Sequence, residues 1–95
     1  MTDYELEKWS EFGKYIREVR TKKKITMYQI EKDYNFSRQY FSRIELNRHG
    51  YAIKPELVKR IAQILDINYL ELYKIVDYAD DKTIAEYYEK NLLNK

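Results

Sequence analysis

NFSRQYFSRIELNRHG, residues 35–50, contains the features that decide the fold of this chain of 95 residues. Asn35 tolerates a left-handed backbone, so it can make a sharp turn where glycine would otherwise be needed. Ser37 is a good N-cap for a helix that begins immediately after it. Phe41 and Ile44 are three residues apart and share the face of that helix that we predict to be buried. The stretch therefore predicts a tight turn followed by a short helix anchored along one side.

The preceding segment, ITMYQIEKDY, predicts another short helix. Thr26 can cap its N-terminus, and Gln29 follows at the spacing of a capping box. We place this helix at about residues 26–34 and the next at about residues 37–46, so the connection between them is very short. Because such a connection is incompatible with antiparallel packing, the two helices must cross steeply, as they do in a helix-turn-helix.

The second of these helices carries polar side chains beside its apolar face. Arginine matches the two hydrogen-bond acceptors of guanine, and glutamine matches the acceptor and the donor of adenine. In a helix-turn-helix the second helix enters the major groove of DNA, where residues near its N-terminus reach the base edges. We therefore predict base contacts from the side chains that point away from the apolar face, which are Arg38, Gln39, Ser42 and Arg43.

The remaining segments also have helical spacing, with no alternating pattern that would indicate a strand. Pro55 suits the first turn of a fourth helix. The pair Asn68 and Glu71 has capping-box spacing at the start of a fifth helix, and Thr83 and Glu86 repeat it before a C-terminal helix. We predict an all-α fold of about six helices. The inward positions expected outside the two central helices are Trp9, Phe12, Ile16, Val19, Leu57, Ile61, Ile64, Leu65, Tyr69, Leu72, Tyr73 and Val76.

Charge is distributed unevenly along the chain. The net charge is only +2, but residues 14–60 hold 13 Lys and Arg against 5 Asp and Glu, while the segments on either side are each at −3. A basic middle between acidic ends favours a polyanionic partner, although an ordinary solvated mixture of charges would also have this composition.

Other classes of protein find little support in the sequence. It has no Cys, no glycine-rich phosphate loop and no recognisable Ser/His/acid set, so we expect no enzyme, no cofactor and no small-molecule ligand. The single histidine, His49, is interpreted as an ordinary exposed loop residue, since no second strong metal ligand is spaced to join it. No apolar run approaches the ~20 residues of a membrane span, and the first residues do not resemble a signal peptide, so we expect a cytoplasmic protein.

Three segments together resemble the Xre/Cro/phage-repressor type of helix-turn-helix domain: FGKYIREVR, ITMYQIEKDYNFSRQYFSRIE and KPELVKRIAQILDINYLELY. The resemblance covers about residues 10–75 and implies a compact five-helix DNA-binding domain, here with an additional C-terminal helix. Members of the family usually bind inverted half-sites as dimers and regulate transcription. We accordingly divide the chain into an N-terminal extension (1–9), a helix-turn-helix domain (10–77) and a C-terminal helical extension (78–95).

The same resemblance implies roles for individual residues. Arg38, Gln39, Ser42 and Arg43 match the positions of the family that contact bases. Arg20 and Glu45 match a structural ion pair that joins the first helix to the third. The resemblance also implies contacts with the DNA backbone from Thr26 and Met27 at the start of the second helix. Apart from the resemblance, position on or beside the third helix leads us to expect further backbone contacts from Ser37, Tyr40, Arg48 and Lys54.

The chain departs from the family pattern at three positions. Met27 stands where many members have a glutamine that grips a phosphate. Glu31 stands where a small residue usually lets the second and third helices approach, so its side chain must swing aside or pair with a cation, either Arg38 or Lys32. Asn35 replaces the usual glycine of the turn.

These observations favour a sequence-specific regulator, most simply a repressor, that binds double-stranded DNA as a homodimer. Alternatives are a DNA-binding antitoxin of a toxin–antitoxin pair and a protein-interaction module that has lost DNA binding. The C-terminal helix could supply a dimer surface, bind a protein partner or fold back onto the core. Its predicted apolar positions are Ile84, Tyr87, Tyr88, Leu92 and Leu93.

Overall fold

The computed structural model describes the backbone of residues 1–93 and the side chains of residues 1–91, so the predicted positions Leu92 and Leu93 lie outside the described side chains. The all-α prediction is confirmed, with no strand in the described part of the chain. No helix within it is long and apolar enough to cross a membrane. The helices are α1 (Asp3–Lys22), α2 (Met27–Tyr34), α3 (Arg38–Glu45), α4 (Pro55–Leu65), α5 (Tyr69–Ile75) and α6 (Asp81–Leu93).

Helix α1 begins well before its apolar stripe. The side chain of Thr2 accepts a hydrogen bond from the backbone N–H of Glu5, and the Glu5 carboxylate accepts one from the backbone N–H of Thr2. This capping box satisfies two N–H groups that the helix end would otherwise leave unpaired. The segment 1–9 therefore contains about the first two turns of α1.

The turn between α2 and α3 has the local structure that the sequence predicts. Thr26 caps α2 in a capping box with Gln29, whose backbone N–H lies 3.1 Å from the Thr26 hydroxyl oxygen. Asn35 ends α2 in the left-handed region, with φ 52° and ψ 41°. Ser37 then caps α3 by accepting a hydrogen bond of 3.2 Å from the N–H of Tyr40. Local side-chain chemistry therefore sets both ends of the turn.

One apolar core is built from α1 to α5 and from the segments on either side of α3. Phe41 and Ile44 are both fully buried in it, as predicted, and each burial contributes about 1.5–3 kcal/mol. Some of the predicted inward positions, such as Val19 and Leu57, pack only partly buried against this core. The core residues are Trp9, Phe12, Ile16, Ile30, Phe36, Phe41, Ile44, Ile53, Val58, Ile61, Ala62, Ile64, Leu65, Leu72 and Val76.

Helix α1 touches the C-terminal end of α3 with almost no space between the two backbones. A Cβ atom on Gly13 would lie 2.5 Å from the carbonyl oxygen of Glu45 and 2.7 Å from that of Ile44. Only glycine fits at this position, because any other residue would push α3 away from α1. The contact therefore fixes the position of the C-terminal end of α3 relative to α1.

The starts of α5 and α6 differ from the predicted capping boxes. Asn68 caps α5 by accepting a hydrogen bond from the N–H of Leu70, but the Glu71 carboxylate instead accepts one from the Tyr15 hydroxyl at 2.9 Å. The box predicted at Thr83 was wrong, because α6 already begins at Asp81. Asp80 accepts the Thr83 N–H at 2.7 Å, and this hydrogen bond lowers the pKa of the Asp80 carboxyl.

Helix α6 lies against the rest of the molecule through a few side-chain contacts. Lys74 forms an ion pair of 2.8 Å with Asp81, and the Asn68 amide donates a hydrogen bond of 2.6 Å to the Tyr88 hydroxyl. Among the described side chains of α6, all are exposed except Ile84, which is half-buried. The helix therefore leaves most of its surface open.

Candidate nucleic-acid interface

Helix α3 turns its polar face outward. Arg38, Gln39 and Arg43 are exposed, and Ser42 is half-buried. Together with Met27 of α2 they line one shallow surface depression. The structure therefore brings the predicted base-contacting residues together on one surface, with Met27 beside them.

The two hydroxyl residues predicted to contact the DNA backbone have structural roles as well. Thr26 and Ser37 are exposed, and their hydroxyl oxygens cap α2 and α3. A hydroxyl group that accepts a hydrogen bond can still donate its own proton, for example to a phosphate oxygen. Capping a helix therefore does not prevent either residue from contacting DNA.

Tyr40 connects α3 to the loop that follows it. Its ring stacks on Phe36, with the centroids 5.8 Å apart and the planes 6° apart, and its hydroxyl lies 2.8 Å from that of Tyr51. Burial and this hydrogen bond raise the pKa of Tyr40 to about 12, so its hydroxyl keeps its proton at neutral pH. The side chain is half-buried, which leaves its outer edge accessible beside the exposed Tyr51.

Arg48 and Lys54, the cations expected to contact phosphates, are both exposed in the loop between α3 and α4. Among the side chains of residues 1–91, no carboxylate pairs with either of them. Both cations are therefore available to an external anion beside α3.

The interpretation of His49 as an exposed loop residue was wrong. His49 is only 7% exposed, and its ring meets the ring of Trp9 edge-on at 5.5 Å and that of Tyr51 at 5.9 Å. Burial lowers the pKa of His49. The imidazole therefore packs as a neutral ring that holds the loop of Arg48 against α1.

Arg20 and Glu45 form a bidentate ion pair between α1 and the end of α3. The Arg20 Nε lies 2.6 Å from Oε2 of Glu45, and Nη2 lies 3.2 Å from Oε1. The remaining nitrogen, Nη1, donates to the carbonyl oxygen of Ile25 at 3.1 Å. Because the Glu45 side chain is only 4% exposed, the guanidinium supplies the partner that this carboxylate needs.

Glu31 pairs with Arg38 rather than with Lys32. Its Oε2 lies 3.0 Å from Nε of Arg38, and both side chains are about half exposed. The ammonium group of Lys32 instead lies over the ring of Tyr28, 5.8 Å from the centroid. One of the predicted base-contacting residues is therefore in contact with an acid from α2.

Two basic residues have contacts that the sequence analysis missed. Arg60 of α4 donates a hydrogen bond of 2.6 Å to the carbonyl of Tyr34, at the end of α2, and its guanidinium lies 5.3 Å from the centroid of Phe36. Lys23 donates to the carbonyls of Leu65 and Asp66, at the end of α4, at 2.7 and 2.8 Å. A basic residue is only weak evidence in the sequence for hydrogen bonds to the carbonyl groups at a helix C-terminus. Here the helix that supplies those carbonyl groups is also distant along the chain from the cation.

A short exposed helix that follows a tight turn, held on a helical body, defines the helix-turn-helix class of DNA-binding proteins. A family model described as helix-turn-helix matches residues 16–72, from within α1 to within α5. The chain belongs to this family, of the Xre/Cro type, and is a DNA-binding regulator. No curated protein and no solved structure matches the chain significantly.

Proposed function

We propose that the protein is a sequence-specific repressor that reads the major groove of double-stranded DNA with α3. The observation that carries this proposal is the division of α3 into two faces. Phe41 and Ile44 are fully buried, while Arg38, Gln39 and Arg43 are exposed around one depression. Side chains of these types, on a helix held firmly by the core, suit bidentate hydrogen bonding to guanine and adenine.

The surroundings of α3 supply contacts to the DNA backbone. The cations Arg48 and Lys54, which pair with no carboxylate among residues 1–91, provide charge for phosphates. The hydroxyl groups of Thr26, Ser37 and Tyr40 provide hydrogen-bond donors. Met27 cannot donate a hydrogen bond, so its contribution is apolar contact with a sugar or a thymine methyl group. Such backbone contacts fix the register in which α3 meets the bases.

We also infer that the protein binds as a homodimer. One short helix can reach only a few base pairs, whereas a symmetric dimer places two such helices in successive major grooves, about 34 Å apart. The open surface of α6 is a candidate for the contact between the two copies or for another protein partner. Repression would then follow from occupation of an operator that overlaps a promoter.

Selection of bound duplexes from a random pool tests the proposal. We expect enrichment of one sequence with inverted half-sites, whose centres are about 10–10.5 base pairs apart. Gel-shift titration of the selected duplex, in competition with unrelated duplex, then gives the specificity ratio. A pool that remains unenriched would contradict sequence-specific binding, and failure to bind any duplex would favour the protein-interaction module.

The exposed α6 also favours a second candidate, a DNA-binding antitoxin whose C-terminal helix binds a toxin. This candidate shares the DNA-binding surface on α3 but requires a second chain. Co-purification of the product of a neighbouring gene, and its release when α6 is deleted, would favour the antitoxin over a repressor that acts alone.

A further inference from the structure

An acidic side chain is an unusual neighbour for a surface that binds DNA. Glu31 lies on α2, and its carboxylate is 3.0 Å from Nε of Arg38, the first residue of α3. A carboxylate beside a DNA-binding surface repels phosphates, so we expect it to have a task that compensates for this repulsion. Its contact with Arg38 indicates what that task is.

The position of the contact on the guanidinium group matters. Guanidinium has five N–H donors in one plane, one of them on Nε and the others on the two Nη nitrogens. The closest approach of Glu31 is to Nε, and among residues 1–91 neither Nη nitrogen of Arg38 donates a hydrogen bond within the protein. Bidentate recognition of guanine requires two such donors, directed at O6 and N7.

The carboxylate also leaves the base-reading surface open. Arg38 lines the depression on α3 together with Met27, Gln39, Ser42 and Arg43, whereas Glu31 does not line it. Glu31 therefore contacts the guanidinium from outside the depression. It restricts the directions that a long, exposed side chain can take, without occupying the place where a base edge would lie.

Stability of the fold does not account for this pair. The side chains of Glu31 and Arg38 are 45% and 54% exposed. Exposed ion pairs contribute little to folding because water and salt screen them and because ordering two long side chains costs entropy. The benefit of an ordered arginine arises on binding, when its freedom would otherwise be lost.

We propose that Glu31 is a positioning residue that directs Arg38 at one guanine of the operator and at the same time weakens binding to unrelated DNA. The inference rests on the proposed function of α3. It assigns the preference at one base position to a pair of residues from two helices, rather than to Arg38 alone.

The test compares Glu31→Ala, Arg38→Ala and the double variant with the parent protein. Each is titrated with the selected duplex, with its single-base variants at every position, and with unrelated duplex at constant salt. We expect Arg38→Ala to lose preference at one position and Glu31→Ala to reduce preference at that same position by roughly 2- to 10-fold. Glu31→Ala should also bind unrelated duplex more tightly and should add no further loss of preference to Arg38→Ala.

Asp33→Ala is the matched control. Asp33 is an exposed acid on the same helix, and among residues 1–91 no cation pairs with it. Its removal changes the net charge as Glu31→Ala does, and it should leave the preference at every base position unchanged. Equal melting temperatures of the variants and the parent would show that a loss of preference does not reflect unfolding.

The contrary results distinguish failure of this inference from failure of the proposed function. If Glu31→Ala keeps the full preference at the position read by Arg38, or loses preference at another position, the positioning role is overturned while sequence-specific binding stands. A further loss on adding Glu31→Ala to Arg38→Ala overturns it in the same way. A parent protein with no base preference at all overturns both proposals.

Discussion

At the residue scale, the ion pair of Arg20 and Glu45 connects stability to function. It joins α1 to the last residue of α3, so it helps to hold the helix that is proposed to read DNA. A buried pair of this kind stabilises little relative to apolar packing, but loss of one partner leaves the other charge buried without compensation.

We therefore expect Arg20→Ala to lower the free energy of unfolding by about 3–5 kcal/mol. Chemical denaturation monitored by circular dichroism measures the change. Arg17→Ala is the control, because Arg17 is an exposed residue of the same helix and no carboxylate pairs with it among residues 1–91. An unchanged unfolding midpoint for Arg20→Ala would show that the pair is dispensable.

Single residues also show where sequence reasoning reaches its limit. The ion pair was assigned through a family resemblance. The burial of His49 could not be predicted, because nothing in the sequence of a polar loop indicates whether its one histidine is exposed or buried. The need for glycine at Gly13 depends on two carbonyl groups more than thirty positions away, those of Ile44 and Glu45. Contacts of this range depend on packing that local patterns do not encode.

At the element scale, the starts of α2, α3 and α4 were predicted well. Thr26 and Ser37 cap the predicted helices, and Pro55 begins α4. The prediction failed at α6, where Asp80 and Thr83 are both good N-caps and local preference cannot choose between them. Propensity alone therefore does not locate the start of α6.

The turn between α2 and α3 depends on a third element, α4. Arg60 donates hydrogen bonds to the carbonyls of Tyr34 and Asn35 and covers the ring of Phe36. We expect Arg60→Ala to reduce the free energy of unfolding by roughly 1–2 kcal/mol, since hydrogen bonds to a charged group and a cation–π contact are lost together. It should also weaken DNA binding, because the turn sets the direction of α3.

Hydrogen exchange of the α2 and α3 amides, measured together with affinity for the selected duplex, tests the role of Arg60. Arg60→Lys is the matched variant, because it keeps the positive charge but lacks the planar fork that can contact two carbonyls and a ring at once. Faster exchange in both variants supports a role in holding the turn. Weaker binding with unchanged exchange would instead indicate that Arg60 contacts DNA directly.

At the scale of the whole molecule, the basic middle of the chain divides into two groups with different tasks. Arg20, Lys23 and Arg60 are engaged with a carboxylate or with carbonyl groups inside the protein. Arg43, Arg48 and Lys54, which lie on or beside α3, are exposed and pair with no carboxylate among residues 1–91, so they remain available to an external anion. Composition shows an excess of positive charge in this part of the chain, but it cannot separate cations that bind groups within the protein from cations that stay exposed.

The charge beside α3 leads to a prediction for Arg48, which is exposed and pairs with no carboxylate among residues 1–91. Arg48→Ala should weaken binding to all duplexes by a similar factor, because a phosphate contact carries no base information. It should also reduce the slope of log affinity against log salt concentration by about 1, since one fewer counterion is released on binding. Titrations of the selected and unrelated duplexes at four salt concentrations measure both effects. Lys14→Ala, which removes an exposed cation of α1 that is not among the proposed DNA-contacting residues, should change neither the affinity nor the slope. If Arg48→Ala weakens binding to only one sequence, Arg48 reads a base and the base-reading surface extends beyond α3 into the loop.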